Sequence, residues 1–201
     1  MLGSDMPFNR TIFKPTSSRG FTLVELVVTL GVAAILLGMA APSISQFLQN
    51  NRLKSDTFHL LDSIAVARSE AVKRGSQVVM CRSANPTAAA PVCGGSANTW
   101  TTGWLVYVNA DPANLSYQSP ADTLLRIGSG VTGGVAIMAN GWGDNYLDYA
   151  NSGETNEIGT VQYSICDIRG EAYGRQISVL RSGRASITHG SPGSPIGDCT
   201  P

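Results

Sequence analysis

Between Gly20 and Pro42 lie twenty-one residues, of which only Thr22, Glu25 and Thr29 are polar and only Glu25 is charged. As a helix rising ~1.5 Å per residue, this run spans ~30 Å, the thickness of a bilayer's hydrocarbon core. A carboxylate four residues into such a segment is costly unless a cation meets it, so Glu25 reads as functional and in need of a partner. A secretory signal peptide would have a shorter apolar core with a small-residue cleavage site after it. Here the leader is long and polar, and the glycine precedes the run. Arg10, Lys14 and Arg19 stand against Asp5 alone ahead of the run. That bias predicts a cytoplasmic N-terminus, with everything after residue 41 on the outer side.

The segment Arg19-Gly20-Phe21-Thr22-Leu23-Val24-Glu25-Leu26 resembles the processing and methylation signal of type IV prepilins and of the pseudopilins of type II secretion. The resemblance implies that a prepilin peptidase cuts between Gly20 and Phe21 and methylates the new amino terminus on Phe21. It also implies that Glu25 offsets that positive terminus, on its own subunit or a neighbour, as subunits pack into a filament. The expected organisation is a leader peptide over residues 1–20, a transmembrane and later filament-core helix over 21–41, and a periplasmic head over 42–201.

At 201 residues the chain has room for one modest domain plus an anchor. Charged residues make up 14% of it, and the apolar run explains part of that low share. The formal net charge is zero, and loss of residues 1–20 would leave about −2, so no global charge favours nucleic acid. The four cysteines, Cys81, Cys93, Cys166 and Cys199, all follow the anchor. An even count in an exported domain reads as two disulfides rather than a zinc site, for which no pair has the close spacing. Three pairings are possible. The favoured one closes a small loop with Cys81–Cys93 and ties the tail with Cys166–Cys199, each bridge contributing ~3 kcal/mol by loop closure.

Residues 21–74 read as one long helix, bent or interrupted at Pro42, and Gly75 is a suitable C-terminal cap. After Pro42, apolar side chains recur at three- and four-residue spacing: Ile44, Phe47, Leu48, Phe58, Leu61, Ile64, Ala65, Ala71 and Val72. One apolar stripe of this kind needs a sheet to cover it. Beyond the helix, β-rich runs occur at 77–81, 104–108, 123–127, 135–138, 161–165, 175–180 and 184–188. Ser182-Gly183 marks a tight turn between the last two. Residues 83–99 and 140–160 read as loops, the latter long or an irregular hairpin. The fold class is therefore α+β: a long N-terminal helix packed on an antiparallel β-sheet head.

A second resemblance lies in this half. Ala67-Arg68-Ser69-Glu70-Ala71-Val72-Lys73-Arg74-Gly75 followed by Val78-Val79-Met80-Cys81 is similar to the helix-to-strand junction of the FimT/GspH-like minor pilins and pseudopilins. So are the segments from Gly103 to Asn109 and from Arg175 to Ile187. This resemblance implies a pilin-like head and a role in filament assembly: a minor pilin that helps to prime a type IV pilus, or the equivalent minor pseudopilin of a type II secretion system. The implied partners are prepilin peptidase, other minor and major pilins or pseudopilins, and the bacterial inner membrane before assembly. Some FimT-type minor pilins bind DNA through a Gly-Arg-x-Arg motif. The matching positions here are Gly183-Arg184-Ala185-Ser186, with Ser186 in place of the second arginine. Arg175, Arg181 and Arg184 are the candidate DNA-contacting residues, in a stretch where four arginines face one acid, Glu171, between 169 and 184.

Nothing in the chain points to an enzyme or a cofactor. There is no Gly-x-Ser-x-Gly, His-Glu-x-x-His or P-loop, and the two histidines, His59 and His189, lie far apart in the sequence. Gly128-Ser-Gly130-Val-Thr-Gly133 matches the bare dinucleotide pattern, but no helix pattern follows it, so it reads as a turn. Asp144, Asp148, Asn151, Glu154 and Glu157 crowd one loop but lack the calcium-loop spacing, so the loop is expected to be solvated and no metal is expected. Replacing Gly20 with a bulky residue should block cleavage. On an immunoblot of cells expressing the chain, that variant should run heavier than wild type by the mass of the leader; co-migration of the two would overturn the cleavage assignment.

Overall fold

The computed structural model describes residues 20–96, 98–141 and 145–199. Residues 1–19, where the leader is expected, and Asp144 lie outside the described residues. The chain separates into two compact units, Met1–Ser45 and Gln46–Pro201. Helix α1 (Leu23–Arg74) begins in the first and ends in the second.

In the first unit, Thr22 caps the helix: its hydroxyl accepts from the Glu25 N–H at 3.2 Å, and its carbonyl accepts from Leu26 at 3.1 Å. Thr22-Leu-Val-Glu25 has the spacing of a capping box, and Glu25 lies in the first turn, where the helix dipole favours a negative charge. Thr29, the other polar residue, satisfies its hydroxyl by donating to the Leu26 carbonyl at 2.9 Å. Every described side chain from Phe21 to Met39 is exposed. The helix is long and apolar enough to cross a membrane, and no part of that segment is buried within the chain itself.

Among the described residues the second unit has eight strands: β1 (Val78–Arg82), β2 (Gly103–Val108), β3 (Thr123–Ser129), β4 (Ala136–Gly141), β5 (Tyr146–Tyr149), β6 (Val161–Cys166), β7 (Arg175–Val179) and β8 (Ala185–His189). They form two four-stranded antiparallel sheets rather than one, in the orders β3-β2-β1-β5 and β4-β6-β7-β8. Gly75, at φ 63°, ends the helix in the left-handed conformation, and the Ser76 N–H reaches back to the Ala71 carbonyl at 3.3 Å.

The buried stripe of α1 is Leu53, Thr57, Leu60, Ile64, Ala67 and Ala71, at alternating four- and three-residue steps. This corrects the stripe read from sequence, of which only Ile64 and Ala71 are fully buried. Ile44, Phe47, Leu48, Phe58 and Val72 are all exposed. The two stripes lie on neighbouring flanks of one helix, and apolar spacing alone does not choose between flanks. Thr57 joins the core because its hydroxyl donates to the Leu53 carbonyl at 2.6 Å and carries no unmet polar group inside. The stripe packs with Met80, Trp104 and Val106 of one sheet and Ile137, Ile165, Ile177 and Val179 of the other, in a single core.

Strands β1 and β2 read as continuous apolar runs because both faces are buried. Val78, Met80, Trp104 and Val106 face the helix, while Val79, Cys81, Leu105 and Tyr107 form a second core behind the sheet. That rear face is covered by Leu115 and Tyr117 from the β2–β3 connection and by Cys93, whose disulfide to Cys81 spans 5.6 Å between Cα atoms. Tyr107 donates its hydroxyl to the Leu115 carbonyl and meets the Tyr117 ring edge-on at 5.1 Å. Cys166 and Cys199 form the second disulfide. Leu60→Ala should lower unfolding stability by ~2–5 kcal/mol, because it empties the middle of the core, whereas Val72→Ala should cost under ~1 kcal/mol. Denaturant unfolding followed by tryptophan fluorescence distinguishes the two; equal costs would refute the assigned stripe.

Candidate functional site

Two regions of the chain hold the functional candidates, one in each unit. In the first, Gly20 and Phe21 precede the cap and are exposed. A Cβ placed on Gly20 would meet no atom within 4 Å, and its φ is not in the left-handed region. The fold therefore places no demand for glycine there. Among the described residues, no cation sits against the Glu25 carboxylate. The first unit thus presents an apolar surface around a capped helix start with one carboxylate in its first turn.

In the second unit the structure divides the arginines that the sequence groups together. Arg169 is held by Asp167 through contacts of 2.6 to 3.0 Å, lies over the Tyr173 ring at 4.9 Å, and donates to Asn50 at 2.9 Å. Burial pushes the Asp167 carboxyl up, but the hydrogen bonds and charge of Arg169 outweigh it and hold the group below the usual range. Arg175 opens β7 and donates to Nε2 of His189 across the register at 3.1 Å. Arg181 and Arg184 lie at the other end of the β7–β8 hairpin, both exposed. Arg181 lies six positions beyond Arg175, past the end of β7, ~20 Å at extended-chain rise. The three candidate DNA contacts therefore do not form one cluster.

Gly183 has a structural task in that turn. Its φ is 75°, and a Cβ would overlap the Gly153 carbonyl oxygen. Arg68, on the last turns of α1, holds the turn in place. Its Nε donates to the Gly153 carbonyl and its Nη2 to the Ser182 carbonyl, both at 3.0 Å. The Thr155 N–H donates to the Arg181 carbonyl at 2.9 Å, joining the same two loops.

The acidic segment is not a solvated loop. It contains β5, whose Leu147 and Tyr149 enter the core while Asp148 is buried on the other face. Asp148 accepts from Gln77 Nε2 at 2.7 Å and from Asn156 Nδ2, and Gln77 accepts from Asn109 at 2.9 Å. Both amides donate to the same oxygen, Oδ2, and among the described residues no group of three metal-ligating side chains is present. Glu157 is pushed up to about 7, first by burial and then by the charge of Asp148. The glycines of the bare dinucleotide pattern serve packing: a Cβ on Gly128 would overlap the Trp104 indole. His59 packs against the same ring, centroids 5.1 Å apart.

Comparison with known proteins gives two family matches. Residues 59–183 match the family described as type II transport protein GspH, and residues 15–41 match the prokaryotic N-terminal methylation motif. No curated protein sequence matches the chain. Two crystal forms of the type IV minor pilin FimU of Pseudomonas aeruginosa share the fold. One, at 18% identity and a TM-score of 0.54, covers 77% of this chain and 99% of FimU. The other, also at 18% identity, has a TM-score of 0.51 with 67% and 91% covered. A weaker likeness, 11% identical with a TM-score of 0.43 over 69% of this chain and 95% of the other, is to the minor pseudopilin EpsH from the type 2 secretion system of Vibrio cholerae.

Glu157 gives a pH prediction with a definite sign. Its carboxyl rises from an ordinary 4.5 to about 7 on folding. Across that window the native state holds a proton that the unfolded chain has released, so this group makes stability fall as pH rises from about 4.5 to 7. Glu157→Gln should flatten that part of the thermal-stability profile relative to wild type. Parallel profiles for the two proteins would rule the effect out.

Proposed function

The chain belongs to the GspH family and carries the prokaryotic N-terminal methylation motif, and on that footing we propose that it is a minor pilin of a type IV pilus, acting by assembly rather than catalysis. Prepilin peptidase cuts between Gly20 and Phe21 and methylates Phe21. The new positive terminus then meets the Glu25 carboxylate of its own or a neighbouring subunit. The observation that carries this reading is the first unit: a capped helix, apolar on every side and with every described side chain from Phe21 to Met39 exposed, carrying a single carboxylate in its first turn. Such a surface requires lipid or other helices around it. In lipid Glu25 is costly; among the helices of a filament it is a pairing point that sets register. Before assembly the chain sits in the bacterial inner membrane with residues 42–201 in the periplasm, and the Cys81–Cys93 and Cys166–Cys199 disulfides suit that oxidising side.

The family's own description favours a second reading, a minor pseudopilin of a type II secretion system with the same mechanics. Neighbouring genes for pilus-tip or secretion components separate the two. The DNA-binding reading rests on the exposed pair Arg181 and Arg184 alone, because Arg169 is ion-paired and Arg175 lies at the far end of the hairpin.

Glu25→Ala should leave cleavage largely intact yet sharply reduce the share of the chain recovered in sheared filaments, with the remainder in the membrane fraction. Normal incorporation of that variant would refute the pairing role.

A further inference from the structure

Each sheet has two edge strands, and unpaired edges are ordinarily guarded by charges, bulges, short length or a covering segment. Three of the four edges here are guarded. The edge of β4 is covered by residues 98–101: Ala139 donates to Asn98 at 2.7 Å, and Trp100 donates to Ile137 at 2.9 Å. The edge strand β5 is four residues long and continues into the Tyr149–Thr155 bridge. The edge strand β3 faces a register irregularity and carries Arg126, which is paired with Asp62.

Strand β8, Ala-Ser-Ile-Thr-His, has no charge guard, proline or bulge, and it ends its sheet. Its ladder phase is set by two bonds that bracket the hairpin, Leu180 N–H to Arg184 carbonyl and Gly190 N–H to Gly174 carbonyl. Hydrogen-bonded pairs alternate, so Ser186 and Thr188 bond to β7, while Ala185, Ile187 and His189 turn their N–H and C=O groups outward. Beside this edge runs a groove of about 240 Å³, lined by Leu61, Ile64, Ala65, Arg68, Gly183 and Ala185. Phe58, one turn before Leu61, extends the apolar flank and is exposed. Of the flank that spacing marks as apolar, Leu61 is half-buried and packs against the core, while Phe58 and Ala65 are exposed.

We propose that β8 and this groove form a strand-addition site for an extended segment of another protein, apolar at alternate positions and acidic at its ends. The guest would pair its backbone with Ala185 and Ile187 and place alternate side chains over Leu61 and Ala65. Charge selects its ends. Arg181 and Arg184 flank one end of the edge and have no carboxylate partner among the described residues, while Arg175 and His189 flank the other. A second copy of this chain is a poor guest, because β8 paired antiparallel with β8 sets each Arg184 end against an Arg175 end, guanidinium against guanidinium. The site does not depend on which filament the chain joins.

The test uses the full chain in detergent micelles and two fluorescent peptides of alternating Val and Thr, one with two Asp at each end and one with two Lys. The Asp-flanked peptide should bind, and amide exchange at Ala185 and Ile187 should slow by about tenfold or more, with little change at Ser186 and Thr188. Ala185→Pro removes one outward N–H while sparing the β7 ladder and should weaken binding by about tenfold or more. Replacing both exposed arginines, Arg181→Glu with Arg184→Glu, should reverse the preference between peptides, and it carries the test if the proline variant fails to fold. The proposal is overturned if neither peptide binds wild type, if the Lys-flanked peptide binds equally well, or if binding leaves exchange at Ala185 and Ile187 unchanged. Protection of those amides by a dimer of the chain alone, seen by sedimentation, would also overturn it.

Discussion

One stripe of α1 holds the second unit together. Leu53, Thr57, Leu60, Ile64, Ala67 and Ala71 present small and medium side chains at steps of three and four, and both sheets converge on them. Because the helix is committed to this flank, its neighbouring flank through Phe58, Leu61 and Ala65 is left beside the open edge of β8. Burial thus decides more than stability: it determines which apolar residues remain available for contact outside the chain. Arg68 lies at the border of the two flanks and joins the helix to both the 150–155 loop and the hairpin turn.

The first unit follows the opposite rule. Its described side chains from Phe21 to Met39 are all exposed, and its helix start is held locally, by the Thr22 cap and the Thr29 back-bond. A capped start matters in an apolar setting, where unmet backbone N–H groups are costly. Glu25 serves two purposes in this arrangement. Its backbone N–H completes the cap, and its carboxylate sits where the helix dipole tolerates it while a partner is sought.

Much of this was legible from residues alone. The apolar run, the helix end at Gly75, seven of the eight strands and the cysteine pairing all rest on local signals: hydrophobic length, cap chemistry, β-rich runs and loop size. What escaped was non-local. Strand β5 hid among Gly, Asn and Asp because Asp148 looks solvated until Gln77 and Asn156 are brought to it from distant positions. The division into two sheets depends on which strands pair, and β1 finds β5 about seventy residues away. The arginine group dissolved for the same reason, since proximity in sequence along a hairpin places Arg175 and Arg181 at opposite ends.

By itself the sequence determined the anchor, its lone carboxylate, the methylation motif and the α+β class, because each follows from properties of neighbouring residues. Tertiary structure alone decided which flank of α1 is inside, that Gly183 serves a turn packed beneath Arg68, and that β8 is the edge left open. Those outcomes depend on where distant segments meet, and a side chain's burial is a property of its neighbours in space rather than in sequence. The Gly20–Phe21 and Glu25 signals stand out for the converse reason: a Cβ on that glycine would meet nothing and, among the described residues, no cation meets that carboxylate, so only the sequence marks them.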